Sequence, residues 1–477
     1  MKKIRFTLIC PAAKAFRVHD RNARPSRRMK VFRFSMLGPL YVAASAPEYV
    51  ETTIVDESVE PVDLDCDADV IGLSFMTFNA PRAYEIADAF RRRGKAVFFG
   101  GYHPTLMAQE AIRHCDAVCI GEAEPNVPRM FDDLRRGRLQ EFYQAPGERL
   151  APLRVDTGLI HRNQYVSSAV IQATRGCYGK CEFCSVSAFY NHGFKSRPVK
   201  EVVAEIESVG SKSILFIDDN MAADVPYAKA LFRAMIPLRK HWYAQMGVNV
   251  TGDAELLDLM ERSGCRGIFV GFESVSQDSL DSAAKGSNRA AYYRTAIAKL
   301  HERGIAVFGA FVMGFDTDAR DIFARTGAFL REARVDVLQL TMLTPFPGTP
   351  LFARMDSEGR IIDRNWEHYD FGHVVIEPKN MSRDELKAGH DMIMTEFYSW
   401  RAILLRSMRQ LSYLRPKELF YALLLSIGYR YKAGKEGYFL SARSRTTAES
   451  LPQVAPALSE AVALPGRGRL KSRVYQE

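Results

Sequence analysis

Short apolar runs recur along the first 145 residues, and the stretches between them repeat their apolar positions at three- and four-residue steps. Ile4 to Ile9, Thr52 to Val55, Val70 to Phe75, Ala96 to Phe99 and Ala117 to Ile120 read as strands. Leu37 to Ala46 starts a helix. Pro81 to Arg93 forms another, with Arg91, Arg92 and Arg93 in its last turn, where cations suit the helix dipole. Gly100-Gly101 and Gly121 close two of the strands. This alternation predicts a doubly wound parallel sheet, whose ligands bind beyond the carboxyl ends of its strands.

A polar stretch from about Gln144 to Gln164, with Pro146, Gly147, Pro152 and Gly158, reads as a linker. Beyond it the alternation resumes. Strand candidates are Ala169 to Thr174, Ser213 to Ile217, Tyr243 to Val250, Gly267 to Phe272, Ala306 to Met313 and Val337 to Leu343. Six βα units predict a parallel barrel or partial barrel with its site at the C-terminal mouth. After Pro345 to Pro350 come a polar segment and then helices from about Asp384 to Tyr429. The expected organisation is a doubly wound domain over 1–145, a linker over 146–164, a partial (β/α)6 barrel over 165–350 and a helical region over 351–440. Few large apolar groups follow, so 441–477 is expected to be a disordered tail.

A chain of 477 residues, 47% hydrophobic and 25% charged, suits two or three globular domains. No apolar run approaches the roughly 18 to 20 residues that span a bilayer. The longest, Leu419 to Ile427, predicts a helix packed on the barrel, with contact to lipid as the alternative. Met1-Lys2-Lys3 precedes an apolar stretch that is short and interrupted by Arg5, which predicts a cytoplasmic first strand rather than a signal peptide. The net charge of +9 is concentrated: eleven Lys and Arg against Asp20 alone give residues 1–40 a charge of +10, leaving −1 for the rest. A nucleic-acid binder would more typically spread basic residues over a face with aromatics among them, so no nucleic acid is expected. The basic run Lys14 to Arg33 reads either as a solvated loop or as an anion site for substrate or cofactor. Eight cysteines without a secretion signal argue for a reducing compartment and against a disulfide framework.

Three of those cysteines stand together in Arg175-Gly176-Cys177-Tyr178-Gly179-Lys180-Cys181-Glu182-Phe183-Cys184. Thiolates in a C-x3-C-x2-C run can hold three irons of a four-iron cluster and leave the fourth open. Structural zinc is the competing reading, with His192 as an available fourth ligand. The run resembles the motif of the radical SAM superfamily, whose [4Fe-4S] cluster chelates S-adenosylmethionine at its open iron. Phe183 stands where that superfamily has an aromatic residue near the adenine. Phe216-Ile217-Asp218-Asp219-Asn220 resembles its strand-two element, and Gly271-Phe272-Glu273-Ser274 its strand-four element near the ribose and amino acid moiety. Phe311-Val312-Met313-Gly314-Phe315 resembles the strand-five turn, with Phe315-Asp316 departing from it. The resemblance implies Cys177, Cys181 and Cys184 as cluster ligands, and Phe183, Asp218, Asp219, Glu273, Ser274 and Gly314 as cofactor-binding residues.

The first domain resembles the flavodoxin-like cobalamin-binding domains found in part of that superfamily. Ser74-Phe75-Met76 and Gly100-Gly101-Tyr102-His103-Pro104 are similar to two of their elements, while the D-x-H-x-x-G element is absent. The resemblance implies cobalamin lying along Ser74, Gly100 and Gly101, so that bulk at Gly101 should displace it. With that element absent, either cobalt lacks a protein histidine or the domain holds no cobalamin; His103 as a cobalt ligand is less in keeping with the glycine turn. The implied activity is cleavage of S-adenosylmethionine to a 5'-deoxyadenosyl radical and methylation of an unactivated carbon of a small-molecule or natural-product substrate, with a flavodoxin- or ferredoxin-type electron donor. Non-methylating radical chemistry is the alternative. A cluster- or zinc-holding binding module and a tRNA-modifying enzyme fit less well, because neither the N-terminal cysteine spacing nor the helical C-terminus suits the latter.

Overall fold

Strands buried on both faces form where Val, Ile, Leu and Phe run together, as in the inner members of the first domain's six-stranded sheet. The computed structural model describes residues 3–14, 17–18, 33, 36–145, 155–167 and 169–435. In chain order the first domain holds β1 (Ile4–Cys10), α1 (Leu37–Ser45), β2 (Val50–Asp56), β3 (Val70–Ser74), α2 (Ala80–Arg91), β4 (Ala96–Gly100), α3 (Tyr102–Leu106), α4 (Ala108–Ala111), β5 (Ala117–Cys119), α5 (Val127–Arg135) and β6 (Phe142–Tyr143). The parallel order is β2-β1-β3-β4-β5-β6. One face packs Phe6, Leu8 and Phe98 against Leu40 and Phe131; the other packs Ile9, Ile71 and Phe99 against Ile86 and Phe90. The pairing of Ser74 with Gly100 brings two expected ligand positions to the same edge.

The second domain continues with β7 (Val170–Ile171), β8 (Thr174–Gly176), α6 (Ser185–Tyr190), β9 (Phe194–Ser196), α7 (Val199–Ser208), β10 (Ser213–Phe216), α8 (Val225–Met235), β11 (His241–Met246), α9 (Ala254–Ser263) and β12 (Cys265–Glu273). Then follow α10 (Gln277–Ser282), α11 (Tyr293–His301), β13 (Ala306–Met313), α12 (Asp321–Glu332) and β14 (Val337–Met342). Its parallel sheet runs β14-β13-β12-β11-β10-β7, a six-stranded partial barrel. Trp242, Phe272 and Phe311 are fully buried in its core, and the last two rings stack at 5.3 Å.

Three sequence readings change. The run Ala169 to Thr174 is not one strand: β7 joins the barrel, while β8 turns away to pair antiparallel with β9 and carries the cysteine loop. Tyr243 to Val250 ends at Met246, because Val248–Gly252 turns as a 3-10 helix. The segment after Pro345, read as polar, starts with a helix, α13 (Pro350–Ser357), capped by Thr349, whose hydroxyl accepts from the Phe352 N–H at 3.2 Å. The stretch expected to be a linker turns twice, at Thr157–Leu159 and Arg162–Gln164, and Ile160 is buried in the first domain's core; 146–154 lie outside the described residues. The helices α14 (Arg383–Phe397), α15 (Trp400–Gln410) and α16 (Pro416–Lys435) close the chain. The tail 441–477 and most of Lys14 to Arg33 also lie outside the described residues.

Candidate functional site

The cysteine loop leaves β8 at Gly176, where φ is +81 and an added Cβ would sit 2.1 Å from the Gly193 carbonyl oxygen. Only glycine fits there. Two aspartates at the end of β10 anchor this root. The Gly176 N–H donates to Asp219 at 2.8 Å, while Asp218 accepts from the Ala173 N–H at 3.1 Å, from the Thr174 hydroxyl at 2.6 Å and from the Thr174 N–H. Burial pushes the Asp218 carboxyl up to about 7 against these donors. The Gly179 N–H donates to Cys177 Sγ at 3.3 Å, and the Asn220 amide approaches the same sulfur at 3.7 Å. Burial pushes the Cys181 thiol up to about 11, with the Lys285 ammonium opposing it.

Lys285 is a residue that sequence reasoning missed. Its Nζ lies 2.8 Å from Glu273 Oε1, and both side chains are mostly buried. Burial works against the ammonium, but Glu273 and the Cys181 sulfur hold it above the ordinary lysine range. Glu273 itself has φ +65, a left-handed conformation costly for a side-chain-bearing residue, at a register shift between β12 and β13. From that kink its carboxylate pairs with Lys285, which follows α10.

This donor set fits a four-iron cluster better than zinc. Zinc draws four ligands to one point at about 2.0 to 2.3 Å, so beside the three cysteines it needs a fourth. His192, the candidate fourth ligand, instead places Nδ1 3.0 Å from the Gly179 carbonyl. A cube holds its cysteines at separate corners, with N–H groups directed at sulfur, as Gly179 and Asn220 are here.

Above the loop, the segment after β14 forms a clamp. Phe183 packs on Phe315 at 6.0 Å within a cluster that includes Phe346, Leu351 and Tyr369. Arg354 spans Glu182 and Asp316, at 2.7 Å to each, and Arg360 adds a second bond to Asp316. Burial alone would raise the Asp316 carboxyl, but hydrogen bonds from Arg360, Arg354 and Lys379 outweigh it and hold the group at about 2. Its folded value lies below the ordinary one, so its contribution to stability is present above the carboxylate range and is lost as pH falls toward about 2. The difference in melting temperature between wild type and Asp316→Asn should therefore close between about pH 5 and about pH 2, as followed by circular dichroism.

The first domain meets the cysteine loop directly. The Tyr102 ring, following Gly100-Gly101, lies 4.6 Å from that of Phe189 on α6. Arg175 reaches Glu122 at 3.2 Å and Glu124 at 2.6 Å and lies 4.7 Å over the Tyr41 ring, and Lys195 also pairs with Glu122. Glu122 and Glu124 follow Gly121 at the carboxyl end of β5, so their pairing with Arg175 spans more than fifty residues of sequence. Periodicity carries no sign of such a pair. Trp366 adds a third strut, donating to Glu110 at 2.8 Å.

At the expected cobalamin edge, Ser74 and Gly100 are half-buried, and at Gly121 (φ +83) a Cβ would meet nothing within 4 Å, so this strand edge fronts open space for a ligand. Gly101 corrects an expectation. Its φ is +101, and a Cβ would lie 2.8 Å from the Phe75 carbonyl oxygen and 2.9 Å from the Phe75 nitrogen, so bulk there strikes β3's own end before any ligand. Gly101→Ala should cost more than about 2 kcal/mol, whereas Gly100→Ala meets only Cys119 Cβ at 3.6 Å and should be nearly neutral in thermal denaturation. His103 is fully buried and bonds Tyr84 at 3.0 Å through Nε2.

Among the other predicted residues, Ser274 is fully buried and its hydroxyl accepts from the Ser276 N–H at 3.1 Å. Asp218 is 2% exposed, with its carboxylate engaged by backbone and Thr174 at the root of the cysteine loop. Gly314 (φ +102) donates to Asp318 at 3.0 Å and packs under Leu386, which closes the space above it. Phe183 and Glu273 remain at the cysteine loop. Of the basic run, Arg17 donates to the Ala12 carbonyl at 2.9 Å and approaches Glu367 at 3.6 Å; residues 19–32 lie outside the described residues.

Comparison with known proteins agrees with this architecture. Residues 171–330 match the radical SAM superfamily, 33–130 the B12 binding domain, and 349–423 a domain of unknown function. The chain is 34% identical over 384 residues to a bacteriochlorophyllide d C-12(1)-methyltransferase of Chlorobaculum tepidum, covering 78% of this chain and 84% of the relative. It is 27% identical to the bacteriochlorophyllide d C-8(2)-methyltransferase of the same organism, covering 82% and 89%. Among solved structures, the cobalamin-dependent S-adenosylmethionine radical enzyme OxsB superposes with a TM-score of 0.62 at 13% identity, covering 91% of this chain and 72% of that one. The radical S-adenosylmethionine methyltransferase TsrM of Kitasatospora setae superposes with 0.58 at 16%, covering 75% and 78%. These last two likenesses are of fold. The chain belongs to the cobalamin-binding radical SAM enzymes. It is a radical SAM C-methylation enzyme whose cofactors are a [4Fe-4S] cluster, S-adenosylmethionine and cobalamin.

Proposed function

We propose that this enzyme methylates an unactivated carbon of a small molecule held between the carboxyl ends of its two parallel sheets, and that the first substrate class to test is a chlorin-type tetrapyrrole. The observation that carries the reading is the contact of Tyr102 with Phe189, which joins the turn after β4 to the helix after the cysteines. The chlorin rests on the name of the relative at 34% identity. When bound, the cluster with S-adenosylmethionine supplies a carbon radical that takes hydrogen from the substrate, and cobalamin supplies the methyl group.

In this reading Cys177, Cys181 and Cys184 hold the cluster, with Gly179 and Asn220 directing N–H groups at Cys177. Phe183, Glu273 and Asp219 border the S-adenosylmethionine, and Ser74, Gly100 and Gly101 form the cobalamin edge. Arg175, through Glu122 and Glu124, keeps the two sheets in register. Electrons come from a flavodoxin- or ferredoxin-type protein, and the enzyme works in the cytoplasm. The test is anaerobic turnover of bacteriochlorophyllide d with trideuteromethyl-labelled S-adenosylmethionine. A chlorin gaining one labelled methyl supports the reading. Accumulation of 5'-deoxyadenosine with an altered chlorin of no mass gain would favour cyclisation or rearrangement instead, and a chlorin left untouched would remove it as the substrate class.

A further inference from the structure

Of the twelve large hydrophobic side chains exposed among the described residues, nine lie between Trp400 and Ile427. Such concentration exceeds the scattered apolar residues of an ordinary surface. In α15, Trp400, Leu404 and Met408, with Leu411 just past its end, recur at three- and four-residue steps and share one face; in α16, Phe420, Leu424 and Ile427 do the same. The opposite faces are held. Ile403, Ala422 and Tyr429 are buried, Arg406 lies 4.0 Å over Phe397, and Tyr243 donates to Glu418 at 3.0 Å. Arg430 lies 5.1 Å over Trp400, linking the end of α16 to the start of α15, so both stripes belong to one surface.

Charge selects what covers this surface. Arg401, Arg409, Arg415 and Lys417 are exposed on and between the same helices, and the one acid from 400 to 431, Glu418, is buried. We propose that this face docks the enzyme on an anionic lipid bilayer, its apolar stripes seated at the level of the acyl chains and its four cations on headgroup phosphates. A symmetric second copy would set those cations against their own kind. Residues 436–477 bring no complementary charge, carrying six Lys and Arg against four Glu. No described helix is long and apolar enough to cross a membrane, so the contact is one of surface. The patch lies at the amino end of the barrel strands, away from the cysteine loop: Lys417 bonds Ser213 at the start of β10, and Gln410 bonds Asp336 just before β14. The packing expected for Leu419 to Ile427 is found on the buried face of α16, through Ala422 and Tyr429, and the lipid contact proposed here concerns its exposed face.

The test uses anaerobically purified full-length holoenzyme in vesicle flotation. Vesicles of phosphatidylglycerol and phosphatidylcholine should carry the protein upward about tenfold more than phosphatidylcholine alone. The combined variant Leu404→Glu, Met408→Glu, Phe420→Glu should reduce flotation about tenfold or more, with melting, iron content and S-adenosylmethionine cleavage unchanged because all three side chains are exposed. Replacing Arg401, Arg409, Arg415 and Lys417 by Gln should erase the preference for anionic vesicles. Wild type that floats with neither vesicle or with both equally overturns the proposal. So does undiminished flotation of the glutamate variant, or a glutamate variant whose one change is dissociation of a dimer.

Discussion

Replacing Cys177, Cys181 and Cys184 by Ala should give protein without iron that cleaves no S-adenosylmethionine. The remaining cysteines cannot substitute. Cys10, Cys119 and Cys265 are buried in strands and Cys115 just before β5, where burial raises their thiols, and Cys66 packs against the first domain's core. Circular dichroism should stay close to wild type, since the loop's root is held by Gly176, Asp218 and Asp219 and not by the sulfurs. A triple variant that kept about four irons per chain would contradict the cluster assignment.

The second large effect belongs to Lys285. Lys285→Met would strand the Glu273 carboxylate, mostly buried and at a strained φ of +65. Removing one partner of a buried ion pair costs about 3 to 5 kcal/mol, which thermal denaturation would register as a clear fall in melting temperature. Adding Glu273→Gln should recover most of that stability. It should not recover S-adenosylmethionine cleavage, because both charges face the cysteine loop. If the double variant regained full cleavage, the pair would be structural alone.

How far the sequence reaches can be judged from particular residues. Strand β13 is predicted and observed at the same limits, Ala306 to Met313, because its apolar run is bounded on both sides by turn residues. The cysteine loop is legible because its chemistry depends on local spacing. Where function depends on contacts between distant segments, local reading fails. The hydrogen bonds that Ser274 and Asp218 accept, from the Ser276 N–H and from the Ala173 N–H, are not signalled by the motifs in which they stand. The interdomain clamp of Arg175 with Glu122 and Glu124, the Lys285 ammonium behind the thiols and the left-handed Gly101 all arise from tertiary proximity, which no periodicity records. Bulk at Gly101 looked like a cofactor block in sequence; in the fold it is first a collision with Phe75.

The central claim is that the cysteine loop and the β3–β4 edge serve one two-cofactor site. The ultraviolet-visible spectrum of the wild-type protein, reconstituted anaerobically with iron, sulfide and cobalamin and then desalted, tests it most directly. The account predicts a corrinoid band beside the cluster absorbance, with the cluster absorbance lost and the corrinoid band kept in the triple cysteine variant. A wild-type spectrum of cluster alone, with all corrinoid removed on desalting, would contradict it.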